Sequence, residues 1–323
     1  MKSQSTVVVI GNFDGVHRGH QAVLADAAFR ARGQSSHDVS APNERELVVL
    51  TFDPHPSAVV GRGEPDRLTA MPRRVELLER HGASRVVVQT FDPAFAAQSP
   101  ETFARDLLTN ELHANEVVVG ANFRFGAKRA GDFSTLVELG KTLGFTARAH
   151  AVAEDDRGAF SSTRARAAIN DGDLEETLAV LGRWHSVSGI VGRGAQLGRT
   201  LGFPTANLHD IPELRPLDGI YAVLVDELDQ DGHAKALAKG VMSIGVRPTI
   251  EGASGRTSEV FLFDFAHDLY GARLRVHFVA RQRAELKFDG LEPLVAQMKE
   301  DEVAARATLA KFTPNGEIGG AWA

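Results

Sequence analysis

Apolar and polar positions fall into two kinds of block along the first half of the chain. Short runs at 6–11, 46–52, 85–90, 115–120 and 145–151 have strand length, and the first four are Val/Leu-rich. Those four are apolar on successive residues, as strands are when both faces of a sheet are covered. Between them, near 18–33, 72–82, 100–112 and 133–143, apolar residues recur at helical spacing. Ser99 before Pro100 reads as an N-cap and first helical position, and Gly82 stands where a helix can end in the left-handed conformation. Alternating strands and helices predict a mostly parallel α/β sheet with its ligand edge at the C-terminal strand ends. The polar stretch Gln34–Arg45 is expected to be an exposed loop without chemistry.

Near residue 183 the pattern changes. Asp173 and Glu176 look like a capping pair opening a short helix to Leu181. Strand-like runs follow near 185–193, 219–227, 237–246, 257–265 and 274–281, with Gly and Pro between them and no helical pattern. They predict an antiparallel sheet or small β-barrel. One amphipathic helix over about 290–311 follows, with Asp289 and Glu292 at its start, and the tail Thr313–Ala323 is expected to fray. The division expected is an α/β domain over 1–182 and a β domain over 183–312.

Composition changes this picture in three respects. The 323 residues carry 36 basic and 42 acidic side chains, a net charge of −6, which argues against nucleic acid or an anionic membrane surface as the main partner. There is no Cys, so disulfides, thiolate nucleophiles and thiolate metal sites are excluded. No secretory-type apolar leader and no apolar run of roughly 18 residues occurs, so a cytoplasmic protein is expected. Oligomeric state is left open.

Chemistry concentrates directly after the first strand, in Ile10-Gly-Asn-Phe-Asp-Gly-Val-His-Arg-Gly-His-Gln21. Here a strand, a glycine-rich turn and a helix start are compressed together. His17 and His20, three apart, fall on one side of the first helical turn. Free backbone N–H groups and the helix dipole favour anions at that place. Two imidazole donors suit a polyphosphate, whereas a zinc site needs further ligands and would find no Cys here. Thr51-Phe-Asp-Pro-His-Pro56 ends the second strand and puts Asp53 and His55 on the same sheet edge, unless it is only a polar turn. Ala121-Asn-Phe-Arg-Phe-Gly126 follows the fourth strand; its aromatics either wall a flat ring system beside Asn122 or belong to the core. Ser161-Ser-Thr-Arg-Ala-Arg166 precedes a helix; its hydroxyls either cap that helix or bind phosphate oxygens beside Arg166.

These pieces resemble the nucleotidylyltransferase superfamily, with its His-x-Gly-His motif and later Ser-Ser-Thr-x-x-Arg signature. The resemblance implies a Rossmann-like domain in which Gly11, Phe13, Asp14, Gly15, His17, His20, Ser161, Ser162, Thr163 and Arg166 bind ATP. It implies that the histidine pair stabilises the α-phosphate under attack by an acceptor phosphate.

In the second half, Ser188-Gly-Ile-Val-Gly-Arg-Gly194 reads as a strand passing into a glycine loop, and Gly198-Arg-Thr-Leu-Gly-Phe-Pro-Thr-Ala-Asn-Leu208 is the most specific run. Glycines permit close approach to phosphates, and Thr205 and Asn207 offer neutral oxygens for Mg²⁺ or, equally, cap a turn. With Asp218–Val223, Ser243–Thr249, Glu259–Leu262, Leu269–Gly271 and Arg283–Phe288 in order, this half resembles riboflavin kinases, and the whole chain resembles the bifunctional riboflavin kinase/FMN adenylyltransferase family. The resemblance implies ATP, riboflavin and FMN as substrates and Mg²⁺ as cofactor. It implies Gly192, Gly194, Gly198, Arg199, Thr205 and Asn207 as ATP contacts of the kinase, the last two also as Mg²⁺ ligands. Glu259 is implied as general base, and Arg283, Glu285 and Phe288 as flavin contacts. In the first half it assigns Asp53, His55, Asn122, Phe123, Arg124 and Phe125 to the flavin. The rival readings are a chain with one inactive half, a non-catalytic flavin-binding regulatory module, and a transferase for another acceptor fused to an unrelated barrel.

Overall fold

The computed structural model describes residues 5–33, 45–194, 198, 201–246 and 255–313. The chain folds as two compact units, Met1–Asp66 with Met71–Ser162, and Arg67–Ala70 with Thr163–Ala323.

The first unit is built on five strands, β1 (Thr6–Ile10), β2 (Glu46–Asp53), β3 (Arg85–Thr90), β4 (Ala114–Gly120) and β5 (Thr146–His150). All pair in parallel, in the order β3-β2-β1-β4-β5. Every residue of β1 is buried, because helices cover both sheet faces. On one face helix Arg18–Ala31 buries Leu24, Ala27 and Ala31 against Val7 and Val9. On the other, Val8 and Ile10 pack with Phe103, Leu107, Leu108 and Leu136. Strand order reverses between β1 and β4, so the crevice at their C-terminal ends is the expected ligand site.

The local signals act as read. Thr102 N donates to Ser99 Oγ at 3.1 Å, and Gly82 has φ +100°. The helix expected over 100–112 is one α-turn, Pro100–Thr102, followed by a π-helix, Phe103–Glu111, whose wider turn ends with Leu112 N donating to Leu107 O at 2.9 Å. A two-stranded hairpin, β6 (Glu154–Asp155) with β7 (Gly158–Ala159), lies where no strand was expected.

The second unit is a closed antiparallel barrel of β8 (Ser186–Gly192), β9 (Thr205–His209), β10 (Gly219–Leu228), β11 (Ala234–Val246), β12 (Arg256–Leu262) and β13 (Arg273–Arg283), ordered β10-β11-β12-β9-β8-β13. Tyr221, Val223, Met242, Val260, Val276 and Phe278 fill its interior. Helix Leu291–Leu309 lays Ala305 and Leu309 on the outward-facing Ala222 and Leu224. The five-residue β9 was not foreseen; it carries Thr205 and Asn207 and completes the barrel.

The compact units part at Ser162/Thr163 rather than at 182/183. Helices Ser162–Asp171 and Leu174–Leu181 follow the α/β pattern in sequence but pack with the barrel. Leu174 joins the barrel core, and Leu217 N donates to Ile169 O at 3.2 Å. Asp173 does cap the second helix, accepting from Glu176 N at 2.8 Å. Most of Gln34–Arg45, Arg199, the Arg247-Pro-Thr249 segment and the tail beyond Thr313 lie outside the described residues.

Candidate functional sites

The first site is a strained loop between β1 and helix Arg18–Ala31. Gly11 N donates to Leu50 O at 3.1 Å, keeping the strand exit beside β2. Phe13, Gly15 and Val16 then take φ of +50°, +86° and +38°. Two of these are non-glycine residues, so the surroundings must hold the loop in place. Thr51 Oγ1 and Arg74 Nη1 both donate to Asn12 O, at 3.1 and 3.0 Å. Arg74 Nη2 pairs with the Asp14 carboxylate at 3.0 Å, and Ser162 Oγ donates to Asp14 O at 2.7 Å.

This loop delivers the histidine pair. His17 is the N-cap, its Nδ1 accepting from His20 N at 3.4 Å, and the two rings stack 3.6 Å apart at 23°. The Phe13 ring meets His20 edge-on at 5.0 Å. A Cβ at Gly19 would lie 3.0 Å from the His17 ring and 3.1 Å from Phe160 O, which explains the glycine inside the His-x-Gly-His spacing. Two imidazoles at the N-terminus of a helix, where the dipole favours negative charge, form a donor cluster for an anion.

His55 joins this group. Its Nε2 lies 3.0 Å from Asn12 Nδ2, and its Nδ1 accepts from Ser57 N at 3.2 Å. Asp53 ends β2, its carbonyl accepting from Phe91 N at 3.0 Å. Ser162 is tied to the loop through Asp14, Ser161 precedes it, and Thr163 and Arg166 lie on the helix that Ser162 opens.

The segment after β4 divides. Asn122, Phe123 and Arg124 line a cavity of about 420 Å³ together with Arg129, Asp132 and Ser134. Phe125 does not; its ring is 6% exposed and packs 5.5 Å from Phe103 in the core. Gly131 lets that ring approach, since a Cβ there would come within 2.7 Å of it. Asp132 caps helix Phe133–Leu143, and bonds from Thr135 N and the Ser134 hydroxyl hold its carboxyl down at about 2. Arg124 reaches that carboxylate at 3.3 Å. Sequence reasoning passed over Arg129 and Arg74; the basic pair Lys128-Arg129 was a signal, whereas Arg74 looked like one more charge on an amphipathic helix.

The second site lies on the outer barrel wall. β9 pairs with β12 so that Asn207 stands opposite Glu259 and Thr205 opposite Phe261. The alternation of strand side chains puts all four on one face. Thr205 Oγ1 donates to Glu259 Oε2 at 3.1 Å. Both border a cavity of about 280 Å³ with Ser243, Arg283, Glu285 and Phe288, closed by Leu294 and Met298 from the C-terminal helix. Leu294 and Met298 belong to the helix expected over about 290–311 and are not among the site residues that the sequence suggests.

Glycines bring the backbone close to this wall. A Cβ at Gly194 would overlap the Asn207 carboxamide, and Gly192 packs likewise on His209. Gly198 O accepts from Phe203 N at 2.8 Å. Arg283, expected as a flavin contact, forms a two-pronged pair with Asp301 at 2.8 and 2.5 Å, so its guanidinium is committed to holding the helix. Burial, with Asp218 nearby, raises the Glu285 carboxyl above its ordinary value, partly offset by a bond from Val246 N.

The stacked histidine pair at the switch point of a parallel sheet and the Thr205–Glu259 pair beside a cavity on a barrel wall lie in two units whose family models make the chain a two-domain nucleotide-dependent transferase. The FAD synthetase family model matches residues 1–164 and the riboflavin kinase model residues 181–309. The chain belongs to the bifunctional riboflavin kinase/FMN adenylyltransferase family. A member from Haemophilus influenzae is 35% identical over 94% of this chain and 94% of its own length. One from Escherichia coli is 37% identical, over 94% and 92%. A crystal structure from Streptococcus pneumoniae, named there a macrolide-efflux protein, superposes with a TM-score of 0.79 at 30% identity over 95% of each chain. Among the described residues, no helix is long and apolar enough to cross a membrane.

Proposed function

We propose that the chain runs its family's two reactions at these two sites: riboflavin is phosphorylated to FMN on the barrel wall, and FMN is adenylylated to FAD at the sheet edge. The observation that carries the first is the 3.1 Å bond between Thr205 and the Glu259 carboxylate at a cavity. Glu259 accepts the proton of the ribityl 5′-hydroxyl as its oxygen attacks the γ-phosphorus of ATP, and ADP leaves. Thr205 orients that carboxylate, and the Gly194 and Gly198 backbone approaches the phosphates. Phe288 and Glu285 border the flavin.

The oxygen donors of Thr205 and Asn207 form the all-oxygen set that a hard cation prefers. Mg²⁺ fits them, and when bound it supplies neutralisation of the phosphate charge.

At the sheet edge a phosphate oxygen of FMN attacks the α-phosphorus of ATP, and the bond to pyrophosphate breaks. The stacked His17 and His20 donate to the phosphoryl oxygens as their charge grows. Ser161, Thr163 and Arg166 hold the remaining phosphate oxygens, while Gly11 and Gly15 let the backbone approach. Asn122, Phe123 and Arg124 face the acceptor, with Asp53 and His55 at the same edge.

The test is chromatographic product analysis of the purified protein with riboflavin, ATP and Mg²⁺. FMN forms first and FAD follows; FMN added without riboflavin also gives FAD. Folded protein that leaves both flavins unchanged refutes the proposal. The protein is expected to work in the cytoplasm, without nucleic acid or membrane as partner.

A further inference from the structure

We infer that Arg74 is a positioning residue for adenylyl transfer, acting through the loop it clamps rather than on ATP. Arg74 sits on helix Met71–Arg80 and is 4% exposed. One nitrogen of its fork donates to Asn12 O at 3.0 Å and another pairs with the Asp14 carboxylate, itself 3% exposed, at 3.0 Å. Desolvating two charges cancels much of what a buried ion pair gains, so an apolar side chain could fill this helix position with similar stability. An apolar side chain cannot supply two directed bonds to two points of one loop. Those points flank Phe13 and precede Gly15 and Val16, the three residues with positive φ. Ser162 Oγ fastens the same loop at Asp14 O. Releasing Arg74 lets the loop relax and moves the N-cap His17 and the ring stacked on it. A shift of donors away from the reacting phosphate costs most at the transition state.

This inference rests on the adenylyltransferase reading of the first site, and two measurements separate them. In Arg74→Lys, which keeps the charge and loses the fork, kcat for FAD formation from FMN falls about tenfold to a hundredfold while KM for ATP changes less than threefold. Riboflavin phosphorylation in the same sample stays within twofold. In Arg74→Ala, millimolar guanidinium restores kcat at least fivefold and ammonium does not; a purely structural role gives a lowered melting temperature with no rescue. Unchanged kcat in the lysine variant, or equal loss of both reactions, overturns the inference. Independently of catalysis, ¹³C-histidine NMR of the ligand-free lysine variant shows the His17 and His20 ring signals displaced; unmoved signals overturn the inference even where FAD formation itself fails.

Discussion

Replacing Glu259 by Gln tests the kinase site most directly. The amide keeps the side chain's shape, and its oxygen still accepts from Thr205, whose hydroxyl lies 3.1 Å from the carboxylate. The cavity of about 280 Å³ therefore keeps its walls. What disappears is the acceptor for the hydroxyl proton. A positioned general base contributes roughly 10²–10⁴ in rate, about 2.7–5.4 kcal/mol of barrier. The weakening of the Thr205 bond from charged to neutral accounts for only about 1 kcal/mol of this. Riboflavin kinase kcat is thus expected to fall at least a hundredfold, with KM for riboflavin little changed. Thr205→Val keeps the carboxylate but removes its orienting bond, about 1.5–3 kcal/mol or roughly tenfold to a hundredfold in rate, and also an oxygen proposed for Mg²⁺, so a fall of at least about tenfold is expected. Because the two residues touch, the double variant is expected to lose less than the product of the single losses. Fluorescence-detected chromatography of FMN from riboflavin measures the effect, and FAD from added FMN in the same sample is the internal control. A fall of less than tenfold, or an equal fall in both reactions of a folded variant, refutes the reasoning.

His20→Ala removes one donor of the stacked pair, so FAD formation from FMN drops by roughly 10²–10³ while FMN formation from riboflavin persists; separate assays on the two flavins check this. Gly194→Ala places a methyl group against the Asn207 carboxamide, so KM for ATP in the kinase reaction rises severalfold without any change in FAD formation from FMN. Asp132 has a folded value of about 2, below the ordinary 3.8, so its contribution to stability is fully present above 3.8 and is lost as the pH falls through about 2. Urea unfolding of the wild type and Asp132→Asn between pH 2 and 6 is expected to show a wild-type advantage that is level above about pH 4 and shrinks steadily toward pH 2; an advantage as large at pH 2 as at pH 6 contradicts the assignment.

The parallel sheet could be read from the chain because a doubly covered strand is apolar on successive residues, as in Val7–Ile10 of β1 and Leu47–Leu50 of β2. Caps at Ser99, Asp173 and Gly82 could be read because they are short-range hydrogen-bond chemistry. Of the candidate residues, His17 and His20 stack at a helix start, Asn122 and Phe123 line one cavity, and Thr205 bonds to Glu259 at another. Other features left no local trace. β9, Thr-Ala-Asn-Leu-His, has neither the successive apolar residues of β1 nor a clear alternation to mark it as a strand. Phe123 and Phe125 carry the same side chain two residues apart, yet one lines a cavity and the other is core.

By itself, then, the order of residues determined the alternation of the main strands and helices in the first half, the run of long strands in the second, several of their caps, and which chemical groups follow the strand ends. These depend on neighbours within a turn or two. Tertiary packing alone decided that helices Ser162–Asp171 and Leu174–Leu181 join the barrel, that Arg283 is taken up by Asp301, and that Arg74 is buried under a strained loop. Each depends on which distant surface an amphipathic face meets, and a periodic pattern records that a face is buried without recording against what.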